Sequence, residues 1–403
     1  MSGNRAIRLG VIGCGQFMSR QHIQTIARSP HLQLQHLADL DEQKLARVAE
    51  RYRPVRRSTR WQDVVADPEV DAVVIGVVPR FHAEMARAAL EYGKPVYVEK
   101  PLALTPEECG AIERLARERR LPVAVGFNRR FAPATEHLKR AFQAARSPVS
   151  VLYRISDDDR VRPPEQQWKK EDRLLLEVVH IFDLLGYLLA AEPVRIFACE
   201  ARFNDALVTI GYENGSRATI HSSSYGSLAQ PKEHLEAVLD RGAVEMDDFV
   251  EIRSYGLPAV APVVRFAGRA YDGCDNRHVE DFARRGLAAL LEFRARYTQA
   301  MAAAGVLAEP PGADAWTRLA EFLGDPPLPQ VNYAPDKGWG AALEGFCLAV
   351  AQGQTPRNAT AIDGNRATFC ALSARRSIES GEPVPLDPKL WLEPKSPLPP
   401  GEG

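Results

Sequence analysis

The chain has 403 residues, a length suited to two or three domains. Its 45% apolar and 26% charged composition is that of an ordinary soluble globular protein, and a net charge of −1 excludes a global field that recruits nucleic acid or an anionic membrane. Six scattered cysteines (14, 109, 199, 274, 347, 370), with no CxxC pair and no Cys/His zinc spacing, point to reduced thiols in the cytoplasm and to no metal site. Met1–Arg8 runs straight into a strand, which leaves no room for a signal peptide. No uncharged apolar run approaches the ~18 residues of a membrane span.

Ile7–Ile12 reads as a strand. Gly13-Cys14-Gly15-Gln16-Phe17-Met18 follows, and then a helix from about Ser19 to Ser29. A strand, a Gly-x-Gly turn and a helix form a dinucleotide fingerprint: Gly13 permits the turn, Gly15 admits a pyrophosphate, and the helix start offers N–H groups. Met18 stands where the third glycine, which serves helix–strand packing, is usual. The next strand, Leu34–Ala38, ends at Asp39, near the roughly 20-residue spacing of the acid that binds the adenosine ribose. A carboxylate there favours NAD, with NADP as the alternative; as a second reading, Asp39 caps the helix Glu42–Tyr52.

Val70–Val77 is a strand, followed by Val78, Pro79 and the helix Phe81–Tyr92, where His82 reads as a helix-start residue rather than a catalyst. Val96-Tyr97-Val98 is a short buried strand that stops abruptly in Glu99-Lys100-Pro101. Charged residues at the carboxyl end of a parallel strand lie where open α/β sheets bind ligands, and the proline admits a cis bond after Lys100. A helix Pro106–Arg119 and a strand Pro122–Phe127 complete an alternating series, the mark of a doubly wound parallel sheet.

Asn128-Arg129-Arg130 precedes a helix to about Ala145. Arg129 and Arg130 are candidates either for substrate contact or for structure. Val149–Ile155 is a strand, and Ser156–Lys170, with Trp168, is a polar loop able to cover a pocket. Leu174–Leu189 is apolar nearly all round, yet Glu177, His180 and Asp183 interrupt it at three-residue spacing, within about a 120° arc. Buried charge is costly, so such a stripe needs partners or a cavity. From Val194 to Arg253, strands separated by turns imply an antiparallel sheet, with one face under the Leu174 helix and the other open for a homodimer or homotetramer contact. Gly256–Gly273 reads as irregular, and Asn276–Ala304 as one long helix. A short helix follows around Ala315–Leu323, then helices at Asp336–Gln352 and Ala361–Ser380, and a frayed proline-rich end at Pro388–Gly403.

These pieces together resemble the Gfo/Idh/MocA oxidoreductases, the family of glucose–fructose oxidoreductase and inositol dehydrogenase. The pieces are Gly10-x-x-Gly13-Cys14-Gly15, Ala38-Asp39, Pro79-x-x-His82, Glu99-Lys100-Pro101, Gly126-Phe127-Asn128-Arg129-Arg130-Phe131, His180-x-x-Asp183 and Asp336-Lys337-Gly338. The resemblance implies an N-terminal Rossmann domain (1–127), an α+β domain with an open-faced sheet (128–387) and a tail (388–403). Gly13 to Met18, Asp39, Val77, Val78, Pro79, His82, Glu99, Lys100, Pro101 and Asn128 would then line NAD. Lys100 and His180 would be the catalytic pair, with Glu177 and Asp183 beside them. Arg129, Arg130 and Trp168 would contact a sugar or cyclitol. The chain departs from the pattern at three places. Leu176 stands where many members carry an aspartate, and Glu177 could take that role. Lys170-Glu171-Asp172-Arg173 replaces a glycine run, and 256–334 resembles an insertion. The resemblance leaves open two other chemistries: elimination, epimerisation or glycoside cleavage through transient oxidation, and non-catalytic nucleotide binding.

Overall fold

Short runs of three or four apolar residues rich in β-branched side chains suit strands covered on both faces. In the computed structural model, which describes residues 5–161, 172–258, 260–274, 276–308, 314–315 and 333–392, β4 (Ala72–Ile75), β5 (Val96–Val98) and β6 (Val123–Val125) are buried at every position. With β1 (Ile7–Ile12), β2 (Leu32–Ala38) and β3 (Arg56–Ser58) they form a six-stranded sheet in the order β3-β2-β1-β4-β5-β6. Every pairing in it is parallel. This is the doubly wound sheet expected. Its crossover helices include Pro106–Arg119, which opens on a capping box between Thr105 and Glu108.

The chain divides into two compact units, and the first takes in Met1–Arg130, Gly338–Ala371 and Asp387–Gly403. The expectation of one C-terminal domain over 128–387 therefore differs from the structure. Phe346, on the helix Trp339–Ala351, sets its ring against Tyr97 of β5 at 5.9 Å. Gly364 lies so close to Leu102 that a Cβ there would come within 2.8 Å of it. The proline-rich end is not frayed throughout: Lys389–Leu392 is a helical turn whose Trp391 is fully buried beside Phe369.

The helix after the glycine turn runs Gln16–Met18, passes through a π-turn at Ser19–Ile23 and continues as Gln24–Arg28. Met18, in the place of the third glycine, is buried. Room for it comes from the facing strand end, where a Cβ on Gly76 would lie 1.9 Å from the Met18 sulfur. The close helix–strand approach is kept, with the small residue supplied by the other partner.

The second unit, Phe131–Lys337 and Leu372–Leu386, is built on nine strands. They are β7 (Ser150–Ser156), β8 (Pro193–Arg202), β9 (Asp205–Tyr212), β10 (Arg217–Ser223), β11 (Glu233–Leu239), β12 (Gly242–Asp247), β13 (Glu251–Tyr255), β14 (Val263–Arg265) and β17 (Val384–Pro385). Their order is β14-β13-β12-β11-β7-β10-β9-β8-β17. All pairings are antiparallel except β10 with β7. Burial alternates along β9 and β11, so one face is covered and the other faces out. The helices Pro133–Ala144 and Val179–Leu189 pack on each other, and Pro133–Ala144 lies against β12 and β13. Between β12 and β13 the chain turns through Asp248 (φ 45°) and Phe249 (φ 63°), both in left-handed conformations.

Residues 256–334 contribute β14, which extends the large sheet, and β15 (Gly268–Ala270), which pairs with β16 (Tyr333–Pro335). The stretch read as irregular thus holds two strands. The long helix is two, Asn276–Arg285 and Leu287–Ala303, broken at Gly286. Gly286 has φ +59°, and a Cβ there would lie 2.0 Å from Glu251 Oε2. That oxygen accepts hydrogen bonds from Leu287 N (3.3 Å) and Arg265 Nε (2.8 Å), so Glu251 satisfies an orphan donor at the second helix's start. Of the short helix expected at Ala315–Leu323, residues 316–323 lie outside the described residues.

The exchange of volume between Met18 and Gly76 is testable by urea denaturation. Gly76→Ala should cost about 2 kcal/mol by overpacking. Combined with Met18→Ala, the loss should be about 1 kcal/mol or more smaller than the sum of the single losses. Additive losses would show that the two positions do not share one space.

Candidate active site

In a parallel sheet all strands end on the same edge, and side chains just beyond those ends face whatever the edge binds. Ile12, Ile75, Val98 and Val125 are in register across β1, β4, β5 and β6. The next residue of each strand is therefore Gly13, Gly76, Glu99 and Gly126, and their N–H groups continue the ladder: Gly76 N to Ile12 O (2.9 Å), Glu99 N to Ile75 O (2.8 Å) and Gly126 N to Val98 O (2.8 Å). Three of the four are glycines for steric reasons. A Cβ on Gly13, which has φ +92°, would lie 2.2 Å from the Gly76 carbonyl oxygen. A Cβ on Gly126 would lie 2.6 Å from Glu99 Oε1. Glu99 is the one large side chain in the row.

Glu99 is buried, and its Oε1 lies 2.7 Å from Nε2 of His22, whose ring is fully buried on the π-turn. Phe17 and Tyr97 meet that ring edge-on at 5.7 and 5.3 Å. The helix that starts at the glycine turn is thereby tied to the residue before Lys100. Lys100 itself is partly exposed, its N–H reaches towards Glu99 Oε2 (3.4 Å), and its bond to Pro101 is cis. His22 and Gly76 adjoin the candidate site and were passed over by motif reading. His22 stands one helical turn past Met18, a spacing that could have drawn attention to it.

Asp39 joins the glycine turn directly. Its Oδ2 accepts the Cys14 N–H at 2.8 Å and its Oδ1 the Asp41 N–H at 2.9 Å. It does not cap the following helix; Asp41 does, accepting from Lys44 N. The Cys14 thiol is pushed up to about 12 by burial and the neighbouring Asp39. Gly15 presents open space where a Cβ would stand, and Gln16 and Phe17 are exposed. These residues fit a dinucleotide: an unobstructed glycine turn, a helix start, and a carboxylate with lone pairs to spare for ribose hydroxyls.

Val78 is exposed and precedes the turn Pro79–Phe81. His82 is buried beneath it, with Nδ1 2.7 Å from the Pro101 carbonyl oxygen and Nε2 3.0 Å from that of Val77. Burial holds its pKa below the ordinary 6.5 against those two carbonyls. The ring staples the loop after β4 to the Glu99-Lys100-Pro101 loop. Asn128, Arg129 and Arg130 are all buried. Arg130 lies 3.0 Å from Asp363, on the helix Ala361–Ser380 of the same unit. Burial raises the Asp363 carboxyl, but Arg130 and Arg366 outweigh it and bring it down to about 2. Trp168 lies outside the described residues.

In the second unit, Glu177 closes a π-turn, Leu174–Val178, and His180 and Asp183 follow on Val179–Leu189. All three are buried. Glu177 Oε1 accepts from Lys232 Nζ at 2.8 Å, and Lys232 also lies 3.2 Å from Asp157 Oδ2. Asp157 in turn accepts from Arg173 Nη1 at 2.7 Å. Arg173, at the end of the lost glycine run, is fully buried and also donates to Ser222 Oγ (2.9 Å) and the Ile155 carbonyl oxygen (3.3 Å). It is an internal anchor; Lys170 and Glu171 lie outside the described residues. Among the described residues, no group of His, Cys, Asp and Glu is arranged to hold a metal ion, and no helix is long and apolar enough to cross a membrane.

A parallel doubly wound sheet with a glycine turn at its switch point is the architecture of a dinucleotide-binding domain. Residues 7–127 match the sequence model of the oxidoreductase family with an NAD-binding Rossmann fold, Gfo/Idh/MocA. The match covers the first part of the chain and places residues 7–127 within the likeness of that family. The chain is 24% identical over 388 residues to scyllo-inositol 2-dehydrogenase (NAD(+)) of Bacillus subtilis, covering 95% of this chain and 97% of that protein. It is 33% identical over 195 residues to inositol 2-dehydrogenase 2 of Saccharopolyspora erythraea, covering 48% of this chain and 56% of that protein. Among solved structures, levoglucosan dehydrogenase in complex with NADH is similar in fold, with TM-score 0.71 and 18% identity over 95% of this chain and all of that one.

The Arg130–Asp363 pair predicts an acid-limb effect. A carboxyl lowered from its ordinary 3.8 to about 2 contributes stability above the unfolded pKa and loses it as pH falls through the folded one. Asp363→Asn should lower stability at neutral pH by about 2 kcal/mol and flatten the decline between about pH 4 and 2. Urea unfolding across that range checks it; identical slopes in parent and variant would contradict the assignment.

Proposed function

We propose that this protein is an NAD-dependent dehydrogenase that transfers a hydride between nicotinamide and a hydroxyl-bearing carbon of a sugar, cyclitol or sugar derivative. The observation that carries the reading is the strand-end row: glycine turn, Gly76, Glu99 with Lys100 next to it, and Gly126, in a chain whose residues 7–127 match this family. Relatives named for inositol support the polyol class. Asp39 would hold the adenosine ribose hydroxyls and repel a 2′-phosphate, which favours NAD over NADP.

Bound NAD supplies the hydride acceptor. The remaining work falls to this chain's residues. Oxidising a carbinol requires loss of its hydroxyl proton, and His180 is suited to take it, since an imidazole changes charge near neutral pH. The Lys100 ammonium would stabilise the alkoxide as it develops. Glu177 and Asp183, on the same helix as His180, would orient its ring and the substrate hydroxyls. Arg129 remains a candidate substrate contact, and Arg130 is better accounted for by Asp363.

Screening polyols and sugars with NAD and NADP at 340 nm tests this. Turnover is expected with NAD, and Lys100→Ala and His180→Ala should each lower kcat by about 100-fold or more. A variant that keeps parental kcat would remove that residue from the mechanism, and absence of turnover on every polyol would sink the reading.

We further propose that copies of the chain associate through the outward face of the nine-stranded sheet. Leu152, Phe197, Leu207 and Val238 are 55, 41, 48 and 50% exposed there, so four strands of this face each present a large apolar side chain outward. Sedimentation should show a dimer or tetramer, and Leu152→Lys with Leu207→Lys should yield a folded monomer. A monomeric parent would refute the assembly.

A further inference from the structure

Lys232 was in no motif, yet it holds a central place in the second unit. It ends the loop between β10 and β11, and its Nζ lies 2.8 Å from Glu177 Oε1 and 3.2 Å from Asp157 Oδ2. Its side chain is only 21% exposed, and that of Glu177 8%. A lysine so enclosed between two carboxylates is held in one geometry, unlike a surface ion pair, which ordinarily contributes little.

What holds the lysine is the segment 256–334, which resembles an insertion. On one side of the loop, Leu228 is buried in a cluster with Met301, Ala304, Val306 and Ala315, which continue from the helix Leu287–Ala303. The strip that carries Asp157 is clamped by the same residues: Arg160 binds Asp158 and donates to the Leu307 carbonyl oxygen at 3.1 Å. On the other side, Glu233 accepts from Lys337 Nζ at 2.6 Å and from Tyr153 Oη at 2.6 Å. Lys337 also donates to Asp248 Oδ1 at 2.6 Å, and Asp248 pairs with Arg294 of the helix Leu287–Ala303. Burial raises the Asp248 carboxyl, but the two cations outweigh it and hold it well below the usual carboxylate range. Lys232 therefore sits between two anchors, one apolar and one ionic, and both use this segment.

We propose that Lys232 is a positioning residue: braced by the segment 256–334, it fixes the Glu177 carboxylate one helical turn before His180. Glu177 is buried, and its ion pair with Lys232 gives that carboxylate a set direction. The segment is thereby part of the site's construction. The proposal rests on the reading of Glu177 and His180 as site residues, although the bracing itself does not need turnover to be observed.

The test uses the full chain with Lys232→Met, Lys232→Arg, Glu177→Gln, the Lys232→Met/Glu177→Gln pair and Met301→Ala. Lys232→Met should lower kcat by about tenfold or more with KM for NAD within about twofold, and Lys232→Arg should restore most of it. If Lys232 acts through Glu177, the double variant is no worse than Glu177→Gln alone. Parental kcat in Lys232→Met, or additive losses in the pair, would overturn the proposal while leaving the dehydrogenase reading in place. Hydrogen exchange gives a readout independent of turnover. Lys232→Met should speed exchange in Leu174–His180, and Met301→Ala in Leu228–Lys232. If the parent turns over no polyol, the functional reading fails, and unchanged exchange in both segments would separately refute the bracing.

Discussion

A carboxylate enclosed by protein must find a donor, and in the first unit that requirement is concentrated on Glu99. Its neighbours along the strand-end row are glycines, so its side chain has space but no water-filled surroundings. The donor is His22, from the middle of the first crossover, 77 residues away in sequence. To place it, the helix takes on a π-turn, and two aromatic rings hold the imidazole edge-on. Lys100 follows Glu99 directly. The backbone that presents the lysine is therefore set by a contact buried beneath it, and the same contact secures the helix whose start faces the cofactor.

The second unit follows the same logic with more charges. Arg173, Asp157, Lys232 and Glu177 form an alternating chain of opposite charges, and Lys337, Glu233, Asp248 and Arg294 form another. Such clusters gain little net energy over an apolar core, but breaking one member leaves the rest uncompensated. They act as constraints on geometry. Asp248 shows the effect on the backbone: its carboxylate is claimed by a lysine and an arginine, and the chain accepts two consecutive left-handed residues to put it there.

Much of this was legible in the sequence. The alternation of short apolar strands with helices announced the parallel sheet, because period and length are local properties. The helices Pro106–Arg119 and Ala361–Ser380 have the limits expected of them. The charged residues ending β5 were conspicuous because a buried strand seldom ends that way. What could not be read is whatever depends on two distant segments meeting. Met18 looked like a defect in the glycine turn until Gly76 supplied the missing space. His82 opens its helix as expected, but its second role as a staple between two loops was not visible. Lys232 meets Glu177 across 55 residues, with no motif to connect them. The break at Gly286 was hidden because a glycine within an apolar helical pattern costs only ~1 kcal/mol and does not by itself announce a turn.

The pairing of β15 with β16 bears on how such a chain could arise. Gly268 lies opposite Pro335 and Ala270 opposite Tyr333, so the two ends of the intervening stretch are hydrogen-bonded side by side. A segment attached by adjacent ends can be gained or lost without rerouting the polypeptide on either side, and lengthening such a loop adds little closure entropy. Here the stretch is tied into the rest of the second unit through Arg294 and through the cluster around Leu228. Removing the stretch would leave Asp248 without one of its two cations and Leu228 without its apolar neighbours.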